Sequence, residues 1–418
     1  MQGLRRQRPP DLRVKQEVIL MKVYLDHAAT TPVDPRVLAE MRPFFSQTFG
    51  NASSLHSFGR EAKEALELAR ARVAKLISAS QDEIIFTSGG TEADNLAVLG
   101  GVDSARGKKV VCSAVEHPAV LEPCAELGRR GFERVLLPVD REGIVDVHVA
   151  GRARVASLVS VMHANNEVGA IQPIAEIAKF AHDGDAVFHC DAVQSAGKIP
   201  VDVRKLGVDL LTLSSHKIYG PKGVGALYLR KGVKLKSIVF GGGHERNLRS
   251  GTENVAGIVG FGKACELALR EMPRESRQLS ALRDRLLKKL LAIDGAALNG
   301  PRGAKRLPNN VNVSFGAIEG EGILLGLDDA GIAVSTGSAC SSKKLQPSHV
   351  LLAMGRRPEQ AHGSVRYTLG RSTTAKQIDF TARKTAEVVA RLRRMSPFKP
   401  GEDLSGVDFG GHHEEYVE

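Results

Sequence analysis

Four residue types at the ends of apolar runs could do chemistry together. The run Asp209-Leu210-Leu211-Thr212-Leu213 delivers Ser214, Ser215, His216 and Lys217, followed by Ile-Tyr-Gly-Pro-Lys-Gly-Val-Gly. A lysine at a strand end, among hydroxyls and glycines, can condense with an aldehyde if its amine is kept partly neutral. A surface lysine in a turn is the plainer alternative, and Lys222 in the same loop is a rival. Upstream, Ala186-Val-Phe-His-Cys ends at Asp191, with Gln194 close behind. An acid at the carboxyl end of a parallel strand sits where open α/β sheets bind ligands, although an aspartate there can equally cap a helix.

An amine and an acid so placed suit a pyridoxal cofactor. The acid would pair with the ring nitrogen, whose protonated form makes the ring a better electron sink, and Gln194 would donate to the ring hydroxyl. A phosphate seat is available at Ser88-Gly89-Gly90-Thr91-Glu92, between the run Ile84-Ile85-Phe86 and a helical segment. His117 follows the run Lys109-Val110-Val111-Cys112, where a flat imidazole could stack on a ring and shuttle protons, or simply open a helix. Asn166, after Ser157-Leu-Val-Ser-Val-Met, offers an amide to a cofactor hydroxyl or a carboxylate, or forms a turn. Arg366 lies in a strand-like run, Gly363-Ser-Val-Arg-Tyr-Thr-Leu-Gly; its fork of donors suits a substrate carboxylate, with an internal ion pair as the alternative and Arg371 as competitor. Cys340 stands among Ser, Thr, Ala and Gly with Lys343 and Lys344 behind it, an environment that favours thiolate. Cys112, Cys124, Cys190 and Cys265 lie in apolar stretches and read as core thiols.

The elements that must position these residues alternate. Short apolar strands and amphipathic helices follow one another from about residue 60 to 230, which predicts an α/β domain with a mostly parallel sheet flanked by helices. From Ile258 to Ile293 the chain is largely helical, with Pro273 read as a break; strands at Asn309–Ile318 and Ser364–Gly370 then imply a smaller α+β domain. The expected division is a basic extension over 1–20, a large domain over 21–271 whose first residues pack with the small one, a small domain over 272–400 carrying Cys340, and a flexible tail over 401–418. The extension lacks the apolar core of a secretory signal, so it reads as disordered or as lying upstream of a true start at Met21.

The chain has 418 residues, five cysteines and a formal net charge of +11. The odd cysteine count without a CxxC pair argues against a disulfide framework or structural zinc, and predicts a reducing, cytoplasmic setting. The basic residues are spread along the chain without interleaved aromatics, so direct nucleic-acid binding is not expected. Apolar runs are too short for a membrane span. The His-His-Glu-Glu run in the tail reads as solvated sequence, and no metal site is expected.

Taken in order, Tyr24-Leu-Asp-His-Ala-Ala-Thr-Thr-Pro, Phe86-Thr-Ser-Gly-Gly-Thr-Glu-Ala-Asp-Asn, Glu116-His-Pro-Ala-Val, Asn165-Asn-Glu-Val-Gly, His189-Cys-Asp-Ala-Val-Gln-Ser, Ser214-Ser-His-Lys, Arg249-Ser-Gly-Thr, Ser335-Thr-Gly-Ser-Ala-Cys-Ser-Ser and Ser364-Val-Arg-Tyr resemble the cysteine desulfurases of the NifS and IscS type, fold-type I pyridoxal-phosphate enzymes, over about residues 21–400. The resemblance implies that Lys217 holds the cofactor as a Schiff base, Asp191 pairs with the ring nitrogen, Gln194 with the ring oxygen, and His117 stacks on the ring. It gives the phosphate to Gly90, Thr91, Ser214 and His216, with Thr252 contributed by the partner of a homodimer. Asn166 and Arg366 would hold L-cysteine, and Cys340 would take its sulfur as a persulfide for an iron–sulfur scaffold protein and for tRNA thiolation. The long stretch between Cys340 and Arg366 resembles the IscS-like branch. Rival readings are a selenocysteine lyase or an aminotransferase on the same fold, or a non-catalytic scaffold; Cys340 and the intact set of site residues argue against both.

Overall fold

The structure, a computed structural model, describes residues 21–102, 107–147, 155–336 and 347–399. Cys340, the expected extension and the expected tail lie outside the described residues. The strands, in chain order, are β1 (Val23–Tyr24), β2 (Ile84–Thr87), β3 (Lys109–Ser113), β4 (Glu133–Leu137), β5 (Leu158–Ser160), β6 (Val187–Asp191), β7 (Leu210–Ser214), β8 (Gly225–Leu229), β9 (Ala296–Leu298), β10 (Asn310–Phe315), β11 (Ile332–Ala333), β12 (Ser335–Thr336) and β13 (Ser364–Thr368).

Seven of them form one sheet in the order β2-β8-β7-β6-β5-β3-β4. Only β8 runs against its neighbours; the others are parallel. β2, β5, β6 and β7 are buried at every position, as continuous apolar strands covered on both faces must be. The sequence pattern leaves β4 unassigned: Glu133 and Arg134 open it, and as an edge strand it needs no buried second face. The carboxyl ends of β2, β3, β5, β6 and β7 therefore share one edge, and the chemistry-bearing segments between residues 87 and 220 leave from that edge.

A second core gathers around the antiparallel sheet β12-β13-β10-β9. β1 joins this core, pairing parallel with β11 in the register Val23↔Ile332. The two cores are bridged by the helix Val255–Leu290, which at 1.5 Å per residue is about 54 Å long. Its first half, through Ala268, packs in the large core; from Leu279 it packs in the small one. Pro273 lies inside this helix and does not end it, contrary to the expected break. A proline removes one hydrogen bond and crowds the preceding turn, but both halves are anchored by buried leucines, so packing outweighs the local penalty.

Candidate active site

β7 hands the chain to a short turn, Ser215–Lys217, which carries the lysine over the sheet edge. Lys217 Nζ donates to the carbonyls of Ala28 (2.6 Å) and Ala29 (2.7 Å). Lys222 is exposed, so Lys217 is the amine at the sheet edge. On the neighbouring strand Asp191 is buried, and its Oδ1 accepts from Val193 N–H at 2.8 Å. That local bond is what a turn-capping aspartate makes, so the two readings of this residue are compatible. Burial pushes the Asp191 carboxyl up to about 6, while Lys217 pulls the other way. Gln194 donates through Nε2 to the same Ala28 carbonyl at 3.0 Å.

The helix Gly90–Gly101 presents its N-terminus to this edge. A Cβ on Gly90 would lie 3.1 Å from Val193 Cγ2 and 3.6 Å from Ser214 Cβ, so the turn closes directly on the Asp191 and Ser214 segments. Ser214 is buried and Thr91 exposed. Glu92 holds the turn, accepting from Ser88 N–H at 2.9 Å and from Arg249 Nε at 2.8 Å. His216 shares a 3.1 Å hydrogen bond with Thr30 Oγ1, and burial lowers its imidazole to about 4.

His117 caps the helix Pro118–Arg129, its Nδ1 accepting from Ala119 N–H at 3.1 Å. Burial, then Lys217 and His349, lower its pKa to about 4, so the ring is neutral near pH 7. Arg366 on β13 reaches back to the large core: Nη1 donates to the Asn166 carbonyl at 3.2 Å and Nη2 to Asp26 Oδ1 at 2.9 Å. Its buried Nε has no hydrogen-bond partner among the described residues. Asn166 thus meets Arg366 through its backbone, not its amide. Arg371, the competitor, lies 3.9 Å over the Tyr219 ring and pairs with Asp34 at 2.5 Å. Thr252 is exposed on the loop before the bridging helix.

The sequence reading gave no role to residues 26–31, which line the site. Asp26 pairs with Arg366, Ala28 and Ala29 bind Lys217, Thr30 meets His216, and Thr31 Oγ1 donates to the His216 carbonyl at 2.9 Å. Hydroxyl-rich sequence after a short strand was the available signal. Residues just beyond the Cys340 stretch are also tied to the site. Ser348 Oγ donates to the buried Glu167 at 2.5 Å, and His349 Nε2 donates to the Glu116 carbonyl at 3.0 Å.

This donor set fits pyridoxal phosphate: an amine, a strand-end carboxyl for a ring nitrogen, a neutral imidazole, a helix N-terminus facing a buried serine, and an arginine with an unmatched N–H. The model for aminotransferase class-V matches residues 23–380. Cysteine desulfurase IscS of Dictyoglomus turgidum is 54% identical over 383 residues, covering 90% of this chain and 97% of that protein. A solved NifS-like protein superposes with a TM-score of 0.83 at 39% identity, covering 89% of this chain and all of the other. The structure titled SspA in complex with cysteine gives a TM-score of 0.74 at 34% identity, covering 83% of this chain and 98% of that one. With likeness running through nearly the whole length, the chain belongs to the class-V aminotransferase family, among the cysteine desulfurases of the NifS and IscS type.

Proposed function

We infer that this protein is a cysteine desulfurase that converts L-cysteine to L-alanine and supplies the sulfur for iron–sulfur cluster assembly. The observation that carries this reading is the convergence of Lys217, Asp191 and His117 on one sheet edge, in a chain 54% identical to a protein named cysteine desulfurase IscS. The sulfur acceptor is Cys340, which lies outside the described residues. Pyridoxal phosphate is the cofactor; when bound, it supplies an electron sink for the carbon skeleton of the substrate.

The chain's own residues do the rest. Lys217 holds the cofactor and afterwards moves the substrate's Cα proton. Asp191 keeps a negative charge against the ring nitrogen. Gly90, Thr91, Ser214 and His216 take the phosphate. Arg366 and Asn166 hold the substrate carboxylate, with Asp26 fixing the guanidinium. The Cys340 thiolate attacks the substrate sulfur: an S–S bond forms, the C–S bond breaks with its electrons left on carbon, and that carbon takes a proton. His117, neutral and beside Lys217, is suited to accept and return a proton near the reacting carbon. The products are alanine and a Cys340 persulfide, from which an iron–sulfur scaffold protein and tRNA-thiolation proteins draw sulfur.

The protein works as a homodimer in the cytoplasm. Phe45, Phe49, Leu55 and Phe58 are each exposed along the chain that leads into the helix Ser57–Leu76, with the Phe49 and Phe58 rings 5.7 Å apart, apolar surface of the kind a second copy would cover. Thr252, exposed in one chain, completes the partner's phosphate seat. Among the described residues no helix is long and apolar enough to cross a membrane.

The deciding experiment measures alanine and sulfide released from L-cysteine with a thiol reductant, for wild type and Cys340→Ala. Expected are both products from wild type and a cofactor-loaded but inactive variant. Sulfide release by Cys340→Ala at the wild-type rate would instead favour a selenocysteine-lyase-like mechanism.

A further inference from the structure

Behind Asp191 the large core encloses carboxyl groups that the reaction as described leaves unused. On β6 the side chains alternate, so His189 and Asp191 face the helix Gly90–Gly101 while Cys190 faces the other layer. Asp94 projects from that helix into the sheet, buried, with Oδ1 3.6 Å from His189 Nε2 and without a hydrogen-bond partner on that oxygen among the described residues, while the Thr212 side chain hydrogen-bonds its carboxyl. His189 is fully enclosed between Ser160 Oγ, 2.8 Å from Nδ1, and Thr212 Oγ1, 3.0 Å from Nε2. Thr212 stands in register with Asp191 on the adjacent strand. Glu116, also buried, accepts from Met162 N–H at 2.8 Å and from the Ser113 hydroxyl, and its Oε2 is unmatched among the described residues.

Three carboxyls, Asp94, Glu116 and Asp191, thus share one dry region. The cation acting on Asp191 is Lys217; the charged groups acting on Asp94 are Asp191 and Glu116, both of the same sign. On its own helix, Glu92 turns outward to Arg249. Buried carboxylates so close together cannot all carry charge. Burial, then Asp191, raises Asp94 well above its ordinary value; burial raises Glu116 likewise; and burial lowers His189 to about 3, which leaves a neutral imidazole.

We propose that Asp94 is held as a neutral carboxylic acid beside Thr212 and His189, and that it acts as a positioning residue: by keeping the proton itself, it leaves the negative charge of the site on Asp191. The proposal rests on the reading of Asp191 as the partner of the cofactor ring. It makes Asn the faithful mimic of Asp94 and a poor mimic of Asp191, although both are buried aspartates on one network.

The test compares the holoenzyme with Asp94→Asn and Asp191→Asn. Infrared difference spectra of wild type against Asp94→Asn should show loss of a protonated-carboxyl carbonyl band. The dissociation constant for pyridoxal phosphate and the pH midpoint of the visible cofactor band should stay within about twofold and a few tenths of a unit, whereas Asp191→Asn should weaken cofactor binding by about tenfold or more, one pKa unit or more in equivalent energy. Should Asp94→Asn not fold, carbon-13 NMR of aspartate-labelled wild type serves in its place, with a buried carboxyl resonance that does not titrate near neutral pH as the expected result. Loss of a carboxylate band, a titrating resonance, or a shift of a full pH unit in Asp94→Asn overturns the proposal. An unchanged cofactor affinity in Asp191→Asn sinks the cofactor-site reading separately, since the protonation of Asp94 is read directly.

Discussion

Lys217 donates to two backbone carbonyls, those of Ala28 and Ala29, and its charge acts on the buried Asp191 carboxyl. Replacing it with alanine should reduce alanine formation by about 10²–10⁴-fold, the usual weight of a positioned proton carrier, with Lys222 unable to substitute; steady-state assay of product decides this. The pH response follows from Asp191. Its ionised form is the useful one, and burial has raised its carboxyl to about 6, so the charge is lost as pH falls through that value in the empty protein. His117, lowered to about 4, stays neutral across the same window and contributes no step there. Pyridoxal phosphate affinity, followed by fluorescence, should therefore weaken on the acid side of pH 6, and that step should vanish in Asp191→Asn. At this scale much was legible: lysine, aspartate, histidine and arginine announce their chemistry by type and by their places at strand ends. The carbonyls of Ala28 and Ala29 did not, because a backbone acceptor has no residue type to betray it. Asp94 does not announce itself, because its motif, Thr-Glu-Ala-Asp-Asn, also reads as ordinary helix.

Between β8 and the bridging helix, Glu245, Arg246 and Asn247 have φ of 45°, 59° and 64°, a left-handed run without glycine. Each such residue costs on the order of 1 kcal/mol, and the structure offsets it with a buried lock. Arg70 pairs with Glu245 at 2.7 Å and donates to the Ile84 carbonyl, while Phe86 N–H donates to Glu245 at 2.8 Å. The lock fastens the loop that ends at Thr252 to β2, the strand that leads into the phosphate turn. Glu245→Ala removes one of two carboxylates on the mostly buried Arg70, leaving Glu67 at 3.2 Å, and should cost about 1–3 kcal/mol in chemical denaturation; a loss below about 1 kcal/mol would mean that Glu67 and solvent suffice for Arg70. A second element-level outcome concerns Gly225, whose missing side chain lets β8 pass 2.6 Å from the Leu213 carbonyl and 2.7 Å from the Gly89 backbone, measured to an added Cβ. Gly225→Ala should destabilise the protein by about 1–3 kcal/mol and loosen cofactor binding, because what must shift is the phosphate turn itself. Element types read well from periodicity; the parallel strands in particular declared themselves as unbroken apolar runs. The continuous helix through Pro273 did not, since its persistence depends on two cores that no local window contains.

For the molecule as a whole, the apolar surface of Phe45, Phe49, Leu55 and Phe58 should decide the assembly. Leu55→Asp places a charge at its most exposed member and should shift the sedimenting species from dimer to monomer, with weaker pyridoxal phosphate retention because Thr252 of each copy would no longer reach its partner; a dimer with unchanged cofactor retention would move the interface elsewhere. Sequence could suggest two domains and a first segment packed with the second, but that one helix, Val255–Leu290, is anchored in both cores is visible only in the fold. The pairing of Val23 with Ile332, and of Ala28 N–H with Thr368 Oγ1 at 2.9 Å, joins the ends of the chain. Folding order follows. During synthesis the large sheet can close once β8 has emerged, yet β1 and residues 26–28 gain their partners on β11 and β13 only late, and Arg366 itself lies on β13. A nascent chain therefore finishes its sheet long before its active site, and the cofactor meets a complete pocket only when translation is nearly over.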